Sequence, residues 1–205
     1  MSTLEFITGC MFCGKTEELI RRLRREKIAG KEVVIFKPAI DDRYEFLSVS
    51  SHNRSQLPAT PINETKDMYK CLSSRVQVVG IDEVQFLDDA VIDFCLEQVA
   101  VGRNVIASGL NLDFRGEPFR FMNSQKHVGY LMAYAINTTL RAICVYEKAS
   151  KNESGSPERC GAEADFTQRL IDGQPAPYDS PLIVVGSKDS YEARCRAHFA
   201  VPRKV

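Results

Sequence analysis

Apolar positions fall in short blocks along this chain, and the spacing inside each block differs. Leu4 to Thr8 is a short apolar run that predicts a buried strand leading into a glycine-bounded loop. From Lys15 to Ala29 the residues Leu19, Ile20, Leu23 and Ile28 recur at helical spacing between arginines, and Gly30 stops the pattern. Strands are predicted over Val33 to Phe36, ended by Pro38, and over Val76 to Ile81, Val105 to Ala107 and Leu140 to Tyr146. Helices are predicted over Asn63 to Ser73, with Asn63 or Thr65 near the start, over Asp88 to Val101 and over Phe121 to Ala135. In the second of these, Val91, Ile92, Cys95, Leu96 and Val99 point inward. Asp41 to Pro61 is polar and irregular, long for a loop inside a compact domain.

Strands apolar on both faces that alternate with helices predict a parallel sheet covered by helices on each side. That character ends near residue 146. Lys148 to Arg159 is polar and aperiodic and reads as an exposed loop. Asp172 to Pro181 is another polar connection, and Leu182 to Val185 reads as a short strand. The expected organisation is an α/β domain over 1–143 and a small second domain over 144–205.

Composition narrows the function classes. The chain has 205 residues, 44% apolar and 26% charged, enough for a core of normal size. Its 27 basic and 27 acidic side chains balance, so the basic surplus of a phosphate-gripping nucleic-acid binder is missing. No basic segment followed by a long apolar one opens the chain, and no run is long enough to cross a bilayer. The expectation is a cytoplasmic protein with neither a nucleic-acid nor a membrane partner. There, seven cysteines, an odd number, suit free thiols or metal ligands better than disulfides.

Gly9-Cys10-Met11-Phe12-Cys13-Gly14-Lys15-Thr16 fits G-x-x-x-x-G-K-[ST], between a predicted strand and a predicted helix. In such a loop the glycines let backbone N–H groups turn toward phosphate oxygens, and the helix N-terminus adds positive potential. Lys15 would neutralise the β- and γ-phosphates of ATP, and Thr16 would ligate Mg²⁺. The strand over Val76 to Ile81 ends in Asp82-Glu83, where a carboxylate at a strand's carboxyl end can meet a ligand. Asp82 is placed to help hold Mg²⁺, and Glu83 to accept a proton from an attacking hydroxyl or to orient a water. Asp82-Glu83-Val84-Gln85 also resembles the Asp-Glu-x-Gln box of helicases, but those motors close ATP between two sheet domains and this chain has room for one. A zinc-dependent binding module built on the C-terminal cysteines is a third class, and it leaves the phosphate loop unused. Cys71 and Cys95 fall in helical patterns and read as small apolar residues; His52 and His127 have no evident chemistry.

Several segments resemble the type II thymidine kinases, the cytosolic enzymes of bacteria, animals and poxviruses. They are Thr8 to Thr16, Lys37 to Tyr44, Ile81 to Phe86, Gly109 to Phe119, Thr167 to Leu170, Val185-Gly186 and Tyr191 to Cys195. The resemblance implies a RecA-like P-loop parallel sheet, a small zinc-binding domain and a loop from that domain that covers the substrate. It implies transfer of the ATP γ-phosphoryl group to the 5′-hydroxyl of thymidine or deoxyuridine. Glu83 is then the catalytic base. The ATP-binding residues are Gly9 to Thr16, Asp41, Arg43, Asp82, Glu83 and Gln85. Met11, Phe86, Leu110 and Phe114 line the base pocket. Thr167 and the backbone around Val184 and Gly186 meet the polar edges of thymine, Leu182 is a further substrate-binding residue, and Tyr191 reaches the sugar. The resemblance also implies a homotetramer and feedback inhibition by dTTP.

Cys195-Arg196-Ala197-His198 has Cys-x-x-His spacing, suited to gripping one metal from a tight turn. The family often adds a Cys-x-x-Cys pair. Here Cys144 stands first, Glu147 stands where the second thiol is expected, and Cys160-Gly161-Ala162 comes later. An insertion of roughly 148–159 between the two ligands would give a structural Zn²⁺ site of Cys144, Cys160, Cys195 and His198. The alternatives are Glu147 as the fourth ligand, or no metal. Cys10 and Cys13 stand where the family often has proline and serine or alanine, and Asn111 replaces a common aspartate.

Overall fold

The computed structural model describes residues 2–39, 48–50, 56–151, 157–183 and 190–202. The chain forms two compact units. The first comprises Met1–Thr8, Gly14–Asn111 and Phe119–Thr139; the second comprises Gly9–Cys13, Leu112–Pro118 and Leu140–Val205.

The first unit is built on β1 (Leu4–Thr8), α1 (Lys15–Ile28), β2 (Val33–Pro38), β3 (Ser48–Ser50), β4 (Gln56–Pro58), β5 (Thr60–Ile62), α2 (Thr65–Lys70), β6 (Val78–Ile81), a 3₁₀ turn (Val84–Phe86), α3 (Ala90–Ala100), β7 (Asn104–Gly109), α4 (Val128–Tyr134) and β8 (Ile136–Thr139). Six strands pair in the order β5-β2-β6-β7-β1-β8, and every pairing in that sheet is parallel. The central strands are buried along almost their whole length, as a sheet covered by helices requires. Leu19, Ile20 and Leu23 of α1 and Val91, Ile92, Phe94 and Cys95 of α3 are buried, so both helices lay an apolar stripe on the core. Burial pushes the Cys95 thiol up to about 12, which keeps it neutral and consistent with a packing role.

Several boundaries differ from the expectations. The described parts of the stretch expected to be irregular form the β3–β4 hairpin and the sheet's edge strand β5. Leu57, Ala59 and Ile62 are buried there, and Pro61 is tolerated because an edge strand leaves one row of N–H groups unpaired. The helix expected over Asn63 to Ser73 is only α2, with Glu64 at its N-cap position, and the Thr65 N–H donates to Asp88 Oδ2 at 2.8 Å. Cys71 lies just beyond α2 and is exposed, so it is not an apolar packing residue. The helix expected from Phe121 starts only at Val128. Phe121 N donates to Lys126 O at 3.1 Å across a turn in which Asn123 is left-handed, and the His127 Nδ1 accepts from Gly129 N at 3.1 Å, capping α4. The strand expected over Leu140 to Tyr146 is cut to the two residues Ala142–Ile143, and β8 forms just before it from four mostly exposed residues with no buried run to mark them.

The second unit holds β9 (Ala142–Ile143), β10 (Glu147–Lys151), β11 (Pro157–Arg159), β12 (Glu163–Ala164), β13 (Phe166–Ile171), β14 (Gln174–Pro175) and β15 (Ser190–Arg194). They form two antiparallel pairs, β10-β11 and β12-β9, and a three-stranded sheet β14-β13-β15. The stretch from Lys148 to Arg159, expected as an exposed loop, is largely the β10–β11 hairpin. Leu182 and Ile183 are not in a strand, and the rest of the strand expected there lies outside the described residues. Among the described residues no helix is long and apolar enough to cross a membrane.

Candidate active site and metal centre

In the first unit the chemistry gathers at the carboxyl ends of the strands, where an open α/β sheet places ligands. Gly14 adopts a left-handed conformation (φ 86°) and serves as the N-cap of α1, so Lys15 and Thr16 form the helix's first turn. Lys15 is buried, and Asp82, one residue past β6, is buried too. Thr16 Oγ1 lies 3.2 Å from Asp82 Oδ2 and 3.4 Å from Oδ1. Ser108, buried on β7, donates its hydroxyl to Asp82 Oδ1. A hydroxyl beside a carboxylate is a pair of hard oxygen donors of the kind Mg²⁺ takes, so these residues fit that ion. Sequence reasoning missed Ser108. Its signal is one hydroxyl in the otherwise apolar run Val105-Ile106-Ala107-Ser108-Gly109.

Glu83 has φ 48°, a left-handed conformation that a non-glycine residue adopts only when its surroundings hold it there. Its Oε2 accepts from Gln85 Nε2 at 2.5 Å. Gln85 is fully buried, and its Oε1 accepts from Leu110 N at 3.0 Å. Gly109 makes room for this link, since a Cβ there would stand 2.5 Å from Gln85 Oε1. Phe86 packs edge-on against Phe119 with ring centroids 5.7 Å apart, and Leu110 is buried.

In the second unit, Gly9–Cys13 is the leading part of the phosphate-loop sequence. Gly9 must be glycine, because a Cβ would fall 2.2 Å from the Leu140 carbonyl oxygen. Met11 N donates to Thr167 Oγ1 at 3.0 Å, so the Thr167 hydroxyl already has one partner. Phe12 is left-handed (φ 67°) and half exposed. Cys10 is buried, with its Sγ 3.3 Å from the Ala164 carbonyl.

Also in this unit, Phe114 is buried and two guanidinium groups lie over its ring, Arg115 at 4.9 Å and Arg169 at 5.2 Å from the centroid. Both arginines also hold the segment before Leu182. Arg115 donates to the carbonyls of Tyr178 (2.6 Å) and Ser180 (2.8 Å), and Arg169 to that of Pro181 (2.5 Å). Asp113 Oδ1 accepts from the backbone N–H groups of Arg115 and Glu117, and burial raises this carboxyl above its ordinary value. Tyr191 on β15 pairs with Arg169 on β13, and Leu182 is half-buried. Asp41, Arg43, Val184 and Gly186 lie outside the described residues.

Cys144, Cys160, Cys195 and His198 place their ligand atoms within 4.8 Å of one another. Individual separations are 3.7 Å for Cys144 Sγ to His198 Nδ1, 3.4 Å for Cys195 Sγ to His198 Nδ1, and 3.9 Å for Cys160 Sγ to Cys195 Sγ. Zn–S bonds of ~2.3 Å at tetrahedral angles put two sulfurs ~3.8 Å apart, so the set fits Zn²⁺. Glu147 is not in the cluster; it pairs with Arg159 in the hairpin. The hairpin explains how ligands so far apart in sequence meet. Its two ends are adjacent, Cys160 N donates to Tyr146 O (2.9 Å), Gly161 N to Cys144 O (3.1 Å) and Cys144 N to Ala162 O (2.8 Å). The two cysteines therefore stay neighbours across the ends of the hairpin. Tyr146 stacks on the His198 ring at 4.2 Å.

A parallel α/β sheet that ends in a Gly-Lys-Thr helix start and a paired Asp-Glu strand end defines a P-loop nucleotide-binding protein, here with a Cys₃His cluster that fits a zinc ion. The sequence matches the family model described as TK: Thymidine kinase over residues 2–199. It is 44% identical to a thymidine kinase of Mesoplasma florum over 206 aligned residues, covering 98% of this chain and 92% of that protein. The chain belongs to the thymidine kinase family.

Proposed function

We propose that the chain transfers the γ-phosphoryl group of ATP to the 5′-hydroxyl of thymidine or deoxyuridine, supplying pyrimidine deoxynucleotides by salvage. The observation that carries the reading is the strand end of β6. There Asp82 meets a phosphate-loop hydroxyl while the neighbouring Glu83 is held separately, so one carboxylate can serve a cation and the other a proton.

Lys15 would neutralise the phosphates, and the N–H groups of the Gly9 to Thr16 loop would cradle them, with Asp41 and Arg43 nearby. Thr16 and Asp82 would hold Mg²⁺, which draws charge from the phosphate oxygens when bound. Glu83 Oε1 or Oε2 takes the proton of the 5′-hydroxyl as its oxygen attacks phosphorus and the bond to ADP breaks. The family resemblance gives the thymidine-contacting roles to Met11, Phe86, Leu110, Phe114, Thr167, Leu182, Val184, Gly186 and Tyr191. The Cys₃His site is structural, since all four ligands come from the protein and no open position is left for substrate. The further parts of the reading are a nucleotide-binding domain over 1–143, a zinc-bearing domain over 144–205, a cytoplasmic homotetramer and inhibition by dTTP.

The test is which polymer or monomer drives ATP turnover. Stimulation by thymidine is expected; stimulation by single-stranded DNA and not by any nucleoside would overturn the kinase reading in favour of a motor.

A further inference from the structure

Gln85 is a fully buried polar side chain with an unusual position. It sits in the 3₁₀ turn immediately after Glu83, and its amide spans two partners. Oε1 accepts from Leu110 N at 3.0 Å, and Nε2 donates to Glu83 Oε2 at 2.5 Å. The direction of the amide is fixed by chemistry. A backbone N–H can only donate, so the carbonyl end must face Leu110 and the NH₂ end must face the carboxylate. Burying a primary amide is costly unless both ends are bonded, and an apolar residue would fill the same space at lower cost. The backbone around it is adapted to the link: Glu83 is left-handed, and position 109 has no side chain where one would meet the amide oxygen.

We propose that Gln85 is a positioning residue for phosphoryl transfer: it ties down Oε2 of Glu83 and leaves Oε1 to receive the proton of the substrate hydroxyl. In the step, the O5′–H bond breaks as the proton passes to Oε1. The O5′–P bond forms, and the bond from phosphorus to the leaving ADP oxygen breaks. The other end of the amide anchors to the backbone of Leu110, in a segment assigned to the thymine. The base is thereby registered to the wall that positions its substrate. This rests on Glu83 being the proton acceptor.

The experiment compares Gln85→Met, Gln85→Glu and Glu83→Gln in the full chain, with ATP, Mg²⁺ and thymidine. Gln85→Met removes both hydrogen bonds at similar length. Its kcat should fall about 10- to 100-fold while both KM values stay within about 3-fold, the signature of a misplaced group and not of the ATP contact that the family resemblance implies for Gln85, whose amide is already bonded at both ends. Gln85→Glu keeps an acceptor for Leu110 N but sets a carboxylate against Glu83, and it should show the same kcat loss at neutral pH. A merely structural Gln85 gives the opposite pattern: Gln85→Glu, which keeps the size of the side chain and an acceptor for Leu110 N, retains wild-type kcat, and that result overturns the proposal. If Gln85→Met does not fold, the isosteric Gln85→Glu decides alone. Near-normal kcat in Glu83→Gln would overturn the proton-acceptor reading itself; a large loss there beside a wild-type Gln85→Glu would overturn only the positioning role.

Discussion

The strand end of β6 and the Cys₃His cluster both hold several functional groups in fixed geometry, and they do so from opposite kinds of sequence. Asp82, Glu83 and Gln85 lie within four consecutive positions and are fixed by hydrogen bonds to Thr16, Ser108 and Leu110. The cluster draws its ligands from positions up to 54 apart, and an inserted hairpin separates its first two. The first arrangement needs no ligand to hold its side chains in place. The second sets three thiols and an imidazole side by side, a grouping that gains most of its stability from a bound metal. Changes at the strand end should therefore cost rate, and changes at the cluster should cost structure.

The largest effect on rate is expected for Glu83→Gln. Losing the proton acceptor should cost about 10²- to 10⁴-fold in kcat, with ATP binding and the thermal midpoint kept. A variant that lost ATP binding in step with kcat would erase the distinction between the two regions. Next comes Cys160→Ser. Zinc content measured by mass spectrometry should fall from one per chain toward none, with several kcal/mol of stability lost from the second unit. Hydrogen exchange in β6 and β7 should stay as protected as before. One zinc per chain retained in that variant would contradict the ligand set.

Sequence made the strand end legible because its chemistry is contiguous: a buried strand followed by two acids needs only local reading. The phosphate loop was legible for the same reason. The ligand set was within reach only because cysteine and histidine are scarce enough to count. The hairpin that reunites Cys144 with Cys160 was not legible, since β11 is exposed along its length and carries no buried face to impose a period of two. β8 escaped notice for a similar reason, as a polar edge strand. The start of α4 was misplaced because a histidine, not one of the usual capping residues, accepts from its first turn. Ser108 and Gln85 are polar residues in buried settings, and what they hold emerges only when β6 and β7 lie side by side.

Smaller effects sharpen the comparison. Ser108→Ala removes one donor from Asp82 without touching Glu83. It should raise the Mg²⁺ concentration for half-maximal rate by roughly 10-fold, in line with a hydrogen bond to a charged group. Lys148→Ala breaks an exposed ion pair with Glu158 across the hairpin. It should cost less than about 1 kcal/mol in denaturant unfolding and leave zinc content unchanged, because the hairpin's ends rather than its arms hold the cysteines together.

The most direct measurement of the central claim is product analysis after incubation with γ-labelled ATP and Mg²⁺ across thymidine, deoxyuridine, deoxycytidine and the purine deoxynucleosides. The account predicts labelled 5′-monophosphate from thymidine or deoxyuridine and none from the purines. Label released only as inorganic phosphate, or carried to a nucleoside other than these two, would contradict it.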